Sequence, residues 1–243
     1  MRREITSWYS PVLEKEMEAV AYGDNGFALL MFPTAAADFL EYERFQLIDE
    51  LKPLIESGKV RVYSINSINS ESWLNDEMHP SHKAIRHQQF NEYVVNEVVP
   101  YIHRDSGGLN KIVTTGASLG ALHAANSFFR RPDIFFGTIA MSGSYDLSDY
   151  SKDYFDEICY FNSPMHYLPN VEDESLISEM SNDKNIYIVT GQGNYENPES
   201  SKRLSDILHR KQIPHTLDLW GHDVPHDWPS WRQMLPYILE TKF

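Results

Sequence analysis

Short apolar runs alternate with helix-period stretches along most of the chain, and this alternation is the tightest constraint the sequence places on its fold. FALLMF (Phe27 to Phe32), KVRVYSI (Lys59 to Ile65), KIVTTG (Lys111 to Gly116), GTIAMSG (Gly137 to Gly143), NIYIVTG (Asn185 to Gly191) and HTLDLWG (His215 to Gly221) read as strands. FALLMF is a continuous apolar run stopped by Pro33, the pattern of a strand covered on both faces. After it, Phe39, Leu40, Tyr42, Phe45, Ile48, Leu51 and Ile55 define one broad helical face, which Pro53 is expected to kink or split. Phe90, Tyr93, Val94, Val98 and Ile102 mark a second helical stretch. Ala121 to Phe129, SSKRLSDILHRK and PSWRQMLPYILE mark three more. Strands separated by helices of this length need crossover connections. The expected fold class is therefore α/β, with a mainly parallel central sheet and helices on both faces.

The N-terminal segments EITSWYS and LEKEMEAVAY differ. Glu14, Glu16 and Glu18 alternate with Lys15, Met17 and Ala19, which predicts an antiparallel hairpin at the sheet's edge with one face half exposed. Residues 144–184 break the alternation. They are expected to be irregular, and to form a cap or lid insertion over the C-terminal ends of the strands. No repeat, low-complexity tract or linker divides the rest, so residues 1–243 are expected to form a single domain.

Composition narrows the partners. The chain has 21 Lys and Arg against 35 Asp and Glu, a formal charge of −14. Phosphate backbones and anionic membrane surfaces both require a cationic face, so neither nucleic acid nor a membrane is an expected partner. No apolar run approaches the roughly 20 residues needed to cross a bilayer. The N-terminal MRREITSWYS has no apolar stretch behind its arginines, and Cys159 is the only cysteine. Together these features predict a cytoplasmic protein without disulfides or a thiolate metal cluster. Nothing in the sequence fixes an oligomeric state.

The chemistry centres on KIVTTGASLGALHAA, in which a strand, G-x-S-x-G and a helix follow one another. A serine at the tip of such a turn takes up a strained backbone that projects its hydroxyl from the sheet edge. Gly116 and Gly120 lack a Cβ, which lets strand and helix approach closely. The helix N-terminus then directs its N–H groups and positive dipole end toward the Ser118 hydroxyl. Leu119 would supply one oxyanion donor through its backbone N–H.

A hydroxyl needs a base, and a base needs an orienting acid. The strand, G-x-S-x-G and helix resemble the nucleophile turn of α/β-hydrolases, whose chain order of serine, acid and histidine implies a base after the last strand; that leaves His222 and His226 in LWGHDVPHDWPSW. His209 and His215 precede that position, and His123 is expected to pack against the sheet. The acid should follow the penultimate strand, where GQGNYENPES offers Glu196 and Glu199. Asn197 and Pro198 read as the N-cap and first residue of a helix. Glu199 then lies in a first turn, where the helix dipole explains a carboxylate. No such explanation covers Glu196. Asp146, after the preceding strand, is the fallback.

GASLGALHAANSFFRRPDIFFGTIAMSG and GHDVPHDWPSWRQMLPYIL resemble the putative esterase family of α/β-hydrolases, which includes esterase D, enterochelin esterases, feruloyl and acetylxylan esterases and the mycolyltransferases. The resemblance runs from the FALLMFP strand to the end of the chain, and it implies the α/β-hydrolase fold. In that family the catalytic histidine precedes Asp or Ser and then Trp. His226-Asp227-Trp228, followed by Trp231, therefore selects His226. A glutamate in a Gly-rich loop before a helix serves as the acid in mycolyltransferases, which matches Glu196. The second oxyanion donor comes from the loop after FALLMF; Ala35 is the best placement within residues 33–38, with Thr34 and Ala36 beside it. Two departures stand out. Ala121 replaces the second glycine of G-x-S-x-G-G, and the PTAAAD loop lacks the family's glycines.

The resemblance implies hydrolysis of a small-molecule carboxylic ester through an acyl-enzyme, with no cofactor and no metal. Acyl transfer to an alcohol would use the same three residues. A non-catalytic binding protein on this fold is a further alternative. HDVPHD places two histidines and two aspartates together, but Pro225 disrupts helical spacing and no HExxH is present, so a metal site is not expected. GQGNYE lacks the third glycine of a dinucleotide fingerprint and reads as a tight loop. HPSHKAIRH (His79 to His87) reads as an exposed loop and helix start. Trp73 could line an acyl or alcohol pocket or simply pack in the core.

Overall fold

The computed structural model describes all residues, Met1–Phe243. Its strands are β1 (Arg3–Ser10), β2 (Lys15–Tyr22), β3 (Phe27–Phe32), β4 (Val60–Ile65), β5 (Ile112–Ala117), β6 (Phe135–Met141), β7 (Asn185–Thr190) and β8 (Thr216–Leu219). The helices are α1 (Glu41–Arg44), α2 (Leu47–Glu56), α3 (Pro80–Tyr93), α4 (Val99–Asp105), α5 (Leu119–Arg130), α6 (Ser148–Ser151), α7 (Glu157–Phe161), α8 (Pro164–Tyr167), α9 (Glu174–Ser181), α10 (Pro198–Arg210) and α11 (Trp228–Lys242). The strands form one sheet in the order β1-β2-β4-β3-β5-β6-β7-β8. β1 and β2 pair antiparallel, as do β2 and β4. Every pairing from β4 across to β8 is parallel. This is the α/β-hydrolase fold, with the antiparallel hairpin at the edge as expected.

The pleat divides the core into two layers. Ala28, Leu30 and Phe32 of β3 pack with Phe90, Val98 and Ile102, with Ala121, Ala125 and Phe128 of α5, and with Leu204 and Leu208 of α10. Leu29 and Met31 point to the other face, where Leu47, Ile48 and Leu51 of α2 meet Trp231, Met234, Leu235 and Ile238 of α11. A run that is apolar at every position is explained by this two-sided burial. Each such Leu, Ile or Phe contributes on the order of 1.5–3 kcal/mol when fully covered.

Two local expectations need correction. Pro53 does not split its helix: it lies inside α2. The break falls earlier, at Gln46, whose backbone is left-handed (φ 64°). Pro53 and Asp49, the residue whose carbonyl the missing N–H would have bonded, are both exposed, so water can take the place of the lost bond. HPSHKAIRH is a helix start with His79 and His82 exposed, as expected, but it is not exposed throughout. His79 caps α3 by accepting from the Ser81 N–H (3.3 Å), and His87 is fully buried. Its ring accepts a hydrogen bond from Trp73 Nε1 (2.7 Å), a partner too distant in sequence for local patterning to reveal. The second helical stretch accordingly begins at Pro80, and it passes through a π-helical turn at Val94–Val98 before α4.

Residues 144–184 hold α6 to α9. Tyr145, Met165, Tyr167, Leu168 and Met180 join the larger core layer. Leu147 and Cys159, with Tyr150 and Tyr154 against them, pack on Trp73, Leu119 and Leu122. Trp73 is thus a buried packing residue beside the first turn of α5. No helix of the protein is long and apolar enough to cross a membrane.

The glycines of G-x-S-x-G are close-approach residues. A Cβ on Gly120 would lie 2.4 Å from the Phe32 carbonyl oxygen and 2.6 Å from that of Pro33; one on Gly116 would lie 2.4 Å from Gly120 backbone. Gly120→Ala should therefore destabilise the fold by on the order of 1–3 kcal/mol, because backbone rather than a flexible side chain must move. A fall of that size in the free energy from urea unfolding checks it. An unchanged free energy would mean that α5 and the β3 end can separate freely.

Candidate active site

The C-terminal ends of β5, β6 and β7, together with the loop after β8, converge at one rim of the sheet. Ser118 follows β5 directly and caps α5 with φ 57° and ψ −123°. Non-glycine residues avoid this region at a cost of about 1–3 kcal/mol, and such strain persists only where the surroundings over-determine it. Here the surroundings are the Gly116–Gly120 contact, the Ser118 N–H on the Met141 carbonyl (3.0 Å) and the Ala121 N–H on the Ser118 carbonyl (3.1 Å). Helix α5 begins at Leu119, earlier than the expected Ala121, so its first N–H groups lie immediately beside the serine.

Glu196 lies in the loop between β7 and α10, and its side chain has no solvent exposure. The carboxylate accepts from Ser142 Oγ (2.6 Å), Thr190 Oγ1 (3.1 Å), the Gly191 N–H (3.2 Å) and His226 Nδ1 (3.3 Å). With a carboxylate as partner, Nδ1 carries the proton, which leaves Nε2 with a free lone pair. Burial alone would push the Glu196 carboxyl upward, but the hydrogen bonds from His226 and Ser142 outweigh it and hold it below its ordinary value. The stability this group supplies is therefore present above the ordinary carboxylate range, and it is lost as pH falls through the lowered value. Glu196→Gln should be less stable than the wild type by on the order of 1–2 kcal/mol at about pH 7. The gap should shrink at a second pH, below the ordinary carboxylate range. Urea unfolding at the two pH values checks this, and a gap independent of pH would contradict it.

The acid and base loops are pinned together by backbone. A Cβ on Gly191 would lie 2.1 Å from the Val224 carbonyl oxygen, and one on Gly193 2.7 Å from the same atom. The Gly193 N–H bonds that carbonyl (2.9 Å), and the His226 N–H bonds the Asn194 carbonyl (2.9 Å). The glycines of GQGNYE thus admit the histidine loop. Trp231 Nε1 donates to Ser142 Oγ (3.1 Å), and the Trp231 ring meets the His226 ring edge to face at 5.1 Å.

Ser118 and Ser142 follow adjacent strands whose last residues, Ala117 and Met141, are in register, about 5 Å apart in the hydrogen-bonding direction. Ser142 Oγ bonds Glu196, and Glu196 bonds His226, so all three candidate residues belong to one rim. No hydrogen bond joins Ser118 Oγ to His226 here. Such contacts are often long before a substrate is seated and tighten in the complex.

The other candidates are engaged elsewhere. Asp146 faces His166 and Arg203, both at 3.6 Å. Glu199 pairs with Lys202 at 2.6 Å in the first turn of α10, whose N-cap is Asn197, although the Asn197 side chain makes no capping bond. His222 is exposed, His215 bonds Ser205, and His123 is buried against Phe32 of β3 (6.1 Å). No group of three His, Cys, Asp or Glu side chains is arranged to hold a metal ion.

The loop after β3 lies against α5 through the Gly120 contacts with Phe32 and Pro33. The Thr34 N–H is occupied by the buried Glu41 carboxylate (2.8 Å). The amides of Leu119, Ala35 and Ala36 have no acceptor within the protein. Ala35 and Ala36 on this loop and Leu119 at the start of α5 therefore keep free donors, and Thr34 does not. Ser142 and Thr190, which hold the Glu196 carboxylate, and Glu41, which takes the Thr34 N–H, are contributors to this candidate site that sequence reasoning missed. A serine such as Ser142 at a strand end carries no local signal, because its partner Glu196 comes from another loop.

The family model described as Putative esterase matches residues 64–241. No curated protein matches the chain. Among solved structures, a ferulic acid esterase is similar with a TM-score of 0.75 at 17% identity, covering 98% of this chain and 97% of that one. An S-formylglutathione hydrolase from Staphylococcus aureus is similar with a TM-score of 0.73 at 14% identity, over 98% and 97% of the two chains. MPT51 from Mycobacterium tuberculosis gives 0.67 at 14% identity, over 99% and 97%. These likenesses establish the shared fold.

Proposed function

The chain belongs to the esterase family, its match extending over well more than half of the sequence, and from that premise we propose that it is a serine carboxylesterase acting on a small-molecule ester. Ser118 Oγ attacks the ester carbonyl carbon while His226 Nε2 takes its proton. The carbonyl π electrons move onto oxygen, where the N–H groups of Leu119 and Ala35 stabilise the anion. Collapse of this intermediate expels the alcohol, which receives the proton from His226, and leaves an acyl-Ser118 ester. Water, deprotonated by the same nitrogen, then releases the acid and restores the serine. Glu196 holds the tautomer and stabilises the imidazolium.

One observation carries this reading: a fully buried carboxylate held by four donors, one of them His226 Nδ1, on the rim where a strained serine opens a helix. A structural ion pair would not call for a backbone-strained serine on the neighbouring strand. The His226 side chain is 24% exposed, which supports water rather than an excluded-water alcohol as the second acceptor. Residues 144–184 serve as a wall beside the nucleophile helix within a single-domain enzyme; their packing on Leu119 and Leu122 supports this.

The substrate class is tested with p-nitrophenyl esters of rising chain length, feruloyl and acetyl-sugar esters and a glutathione thioester, with and without an added alcohol. Hydrolysis gives free acid in both conditions. A new ester as main product would favour acyl transfer, and no turnover or fluorophosphonate labelling of any kind would favour a binding role.

A further inference from the structure

None of the three alanines of the loop after β3 (Ala35, Ala36 and Ala37) has a side chain that could hold its peptide in place, and the loop has no glycine to preset a turn. A buried side chain from another element holds it instead. Asn69, 1% exposed and at the start of a 3₁₀ turn (Asn69–Glu71) after β4, donates from Nδ2 to the Ala35 carbonyl (2.7 Å) and the Thr34 carbonyl (3.3 Å). In a trans peptide the C=O and the following N–H point in opposite directions. Holding the Thr34 carbonyl therefore aims the Ala35 N–H away from Asn69, and holding the Ala35 carbonyl does the same for the Ala36 N–H.

The other end of the amide reaches the nucleophile helix. Asn69 Oδ1 bonds His123 Nε2 at 2.8 Å, and His123 lies on α5, one turn after Leu119. Because Nδ2 is committed to two carbonyls, Oδ1 accepts and His123 Nε2 donates. His123 is wedged between Phe90 (5.2 Å) and His87 (4.8 Å). Burial lowers its pKa to about 4, so the ring stays neutral in this tautomer at ordinary pH. The helix bearing one free amide and the loop bearing the other are thus linked through a single buried side chain.

We propose that Asn69, backed by His123, is a positioning residue that sets the orientation and spacing of the Ala35 and Leu119 N–H groups for the oxyanion. This rests on the esterase reading and extends it to a residue that touches neither substrate nor the reacting atoms.

Asn69→Asp is the informative variant, because it keeps shape and the acceptor for His123 but cannot donate to the two carbonyls. Loss of one oxyanion donor lowers kcat by on the order of 10²–10³-fold; Asn69→Asp is expected to lower it by on the order of 10–10²-fold, with KM changed less than about threefold. Affinity for a trifluoromethyl ketone analogue, whose hemiketal oxyanion forms on Ser118, should fall in parallel with kcat/KM. Asn69→Ala should behave alike, and His123→Gln more mildly. A folded Asn69→Asp protein with unchanged kcat and ketone affinity would overturn the proposal, as would a loss confined to KM. Failure of both Asn69 variants to fold would also overturn it, since the residue would then be a core element only. A wild-type protein inert toward every ester and toward fluorophosphonate would instead overturn the esterase reading, so the two failures are distinguishable.

Discussion

Ser118→Ala lowers kcat/KM for any ester the protein turns over by on the order of 10⁴–10⁶-fold, leaving at most the residual acceleration that binding and the oxyanion donors provide. The protein itself should hardly notice the change. Ser118 Oγ makes no hydrogen bond in the structure, and alanine meets the same backbone strain at φ 57° as serine does. The unfolding free energy should therefore change by no more than about 0.5 kcal/mol, as for a substitution that removes no buried partner. Initial rates on the preferred p-nitrophenyl ester, paired with urea unfolding, measure both. A variant that keeps its activity would end the acyl-enzyme mechanism; one that loses activity together with its fold would say nothing about nucleophilicity, and the midpoint separates these cases.

His226→Ala is expected to lose on the order of 10⁴-fold or more in kcat, because the Ser118 proton then has no acceptor. His222→Ala, four residues earlier and exposed, should stay within about twofold of wild type, as surface changes away from a site usually do. The contrast matters more than either value, since both histidines occupy the same loop after β8. Combining Ser118→Ala with His226→Ala should cost little beyond the larger single loss, because the two side chains act as one unit. Multiplicative losses would indicate independent roles. Equal losses at His222 and His226 would indicate that the loop, not the imidazole, is what each substitution damages.

Much of the site was legible along the chain for a physical reason. G-x-S-x-G between an apolar run and a helix is a local arrangement, and Gly116, Ser118 and Gly120 perform their geometric parts within five residues. Capping logic singled out Glu196 over Glu199, and the structure gives Glu196 the bond to His226 and Glu199 the bond to Lys202. What escaped notice was long-range. Ser142 holds the carboxylate only because β6 and β7 end side by side, whereas Thr190 reaches it from within the same strand-to-helix connection. His87 looked like part of an exposed polar stretch, since nothing near it in sequence announces Trp73 or His123. Pro53 looked like a break because its solvent-facing position on α2 cannot be known before the helix is docked.

The sequence by itself determined the strand–helix alternation, the two-sided sheet, the edge hairpin and the serine elbow, because each depends on the spacing of apolar residues and on glycines a few positions apart. Tertiary structure alone decided which carbonyls and amides stay free. Glu41 occupies the Thr34 N–H, Asn69 takes the carbonyls of Thr34 and Ala35, and the donors of Ala35 and Leu119 remain open. Buried polar groups must find partners; Glu41 reaches Thr34 across a short turn, but Asn69 comes from a segment more than thirty residues away that meets the loop only when the sheet is assembled.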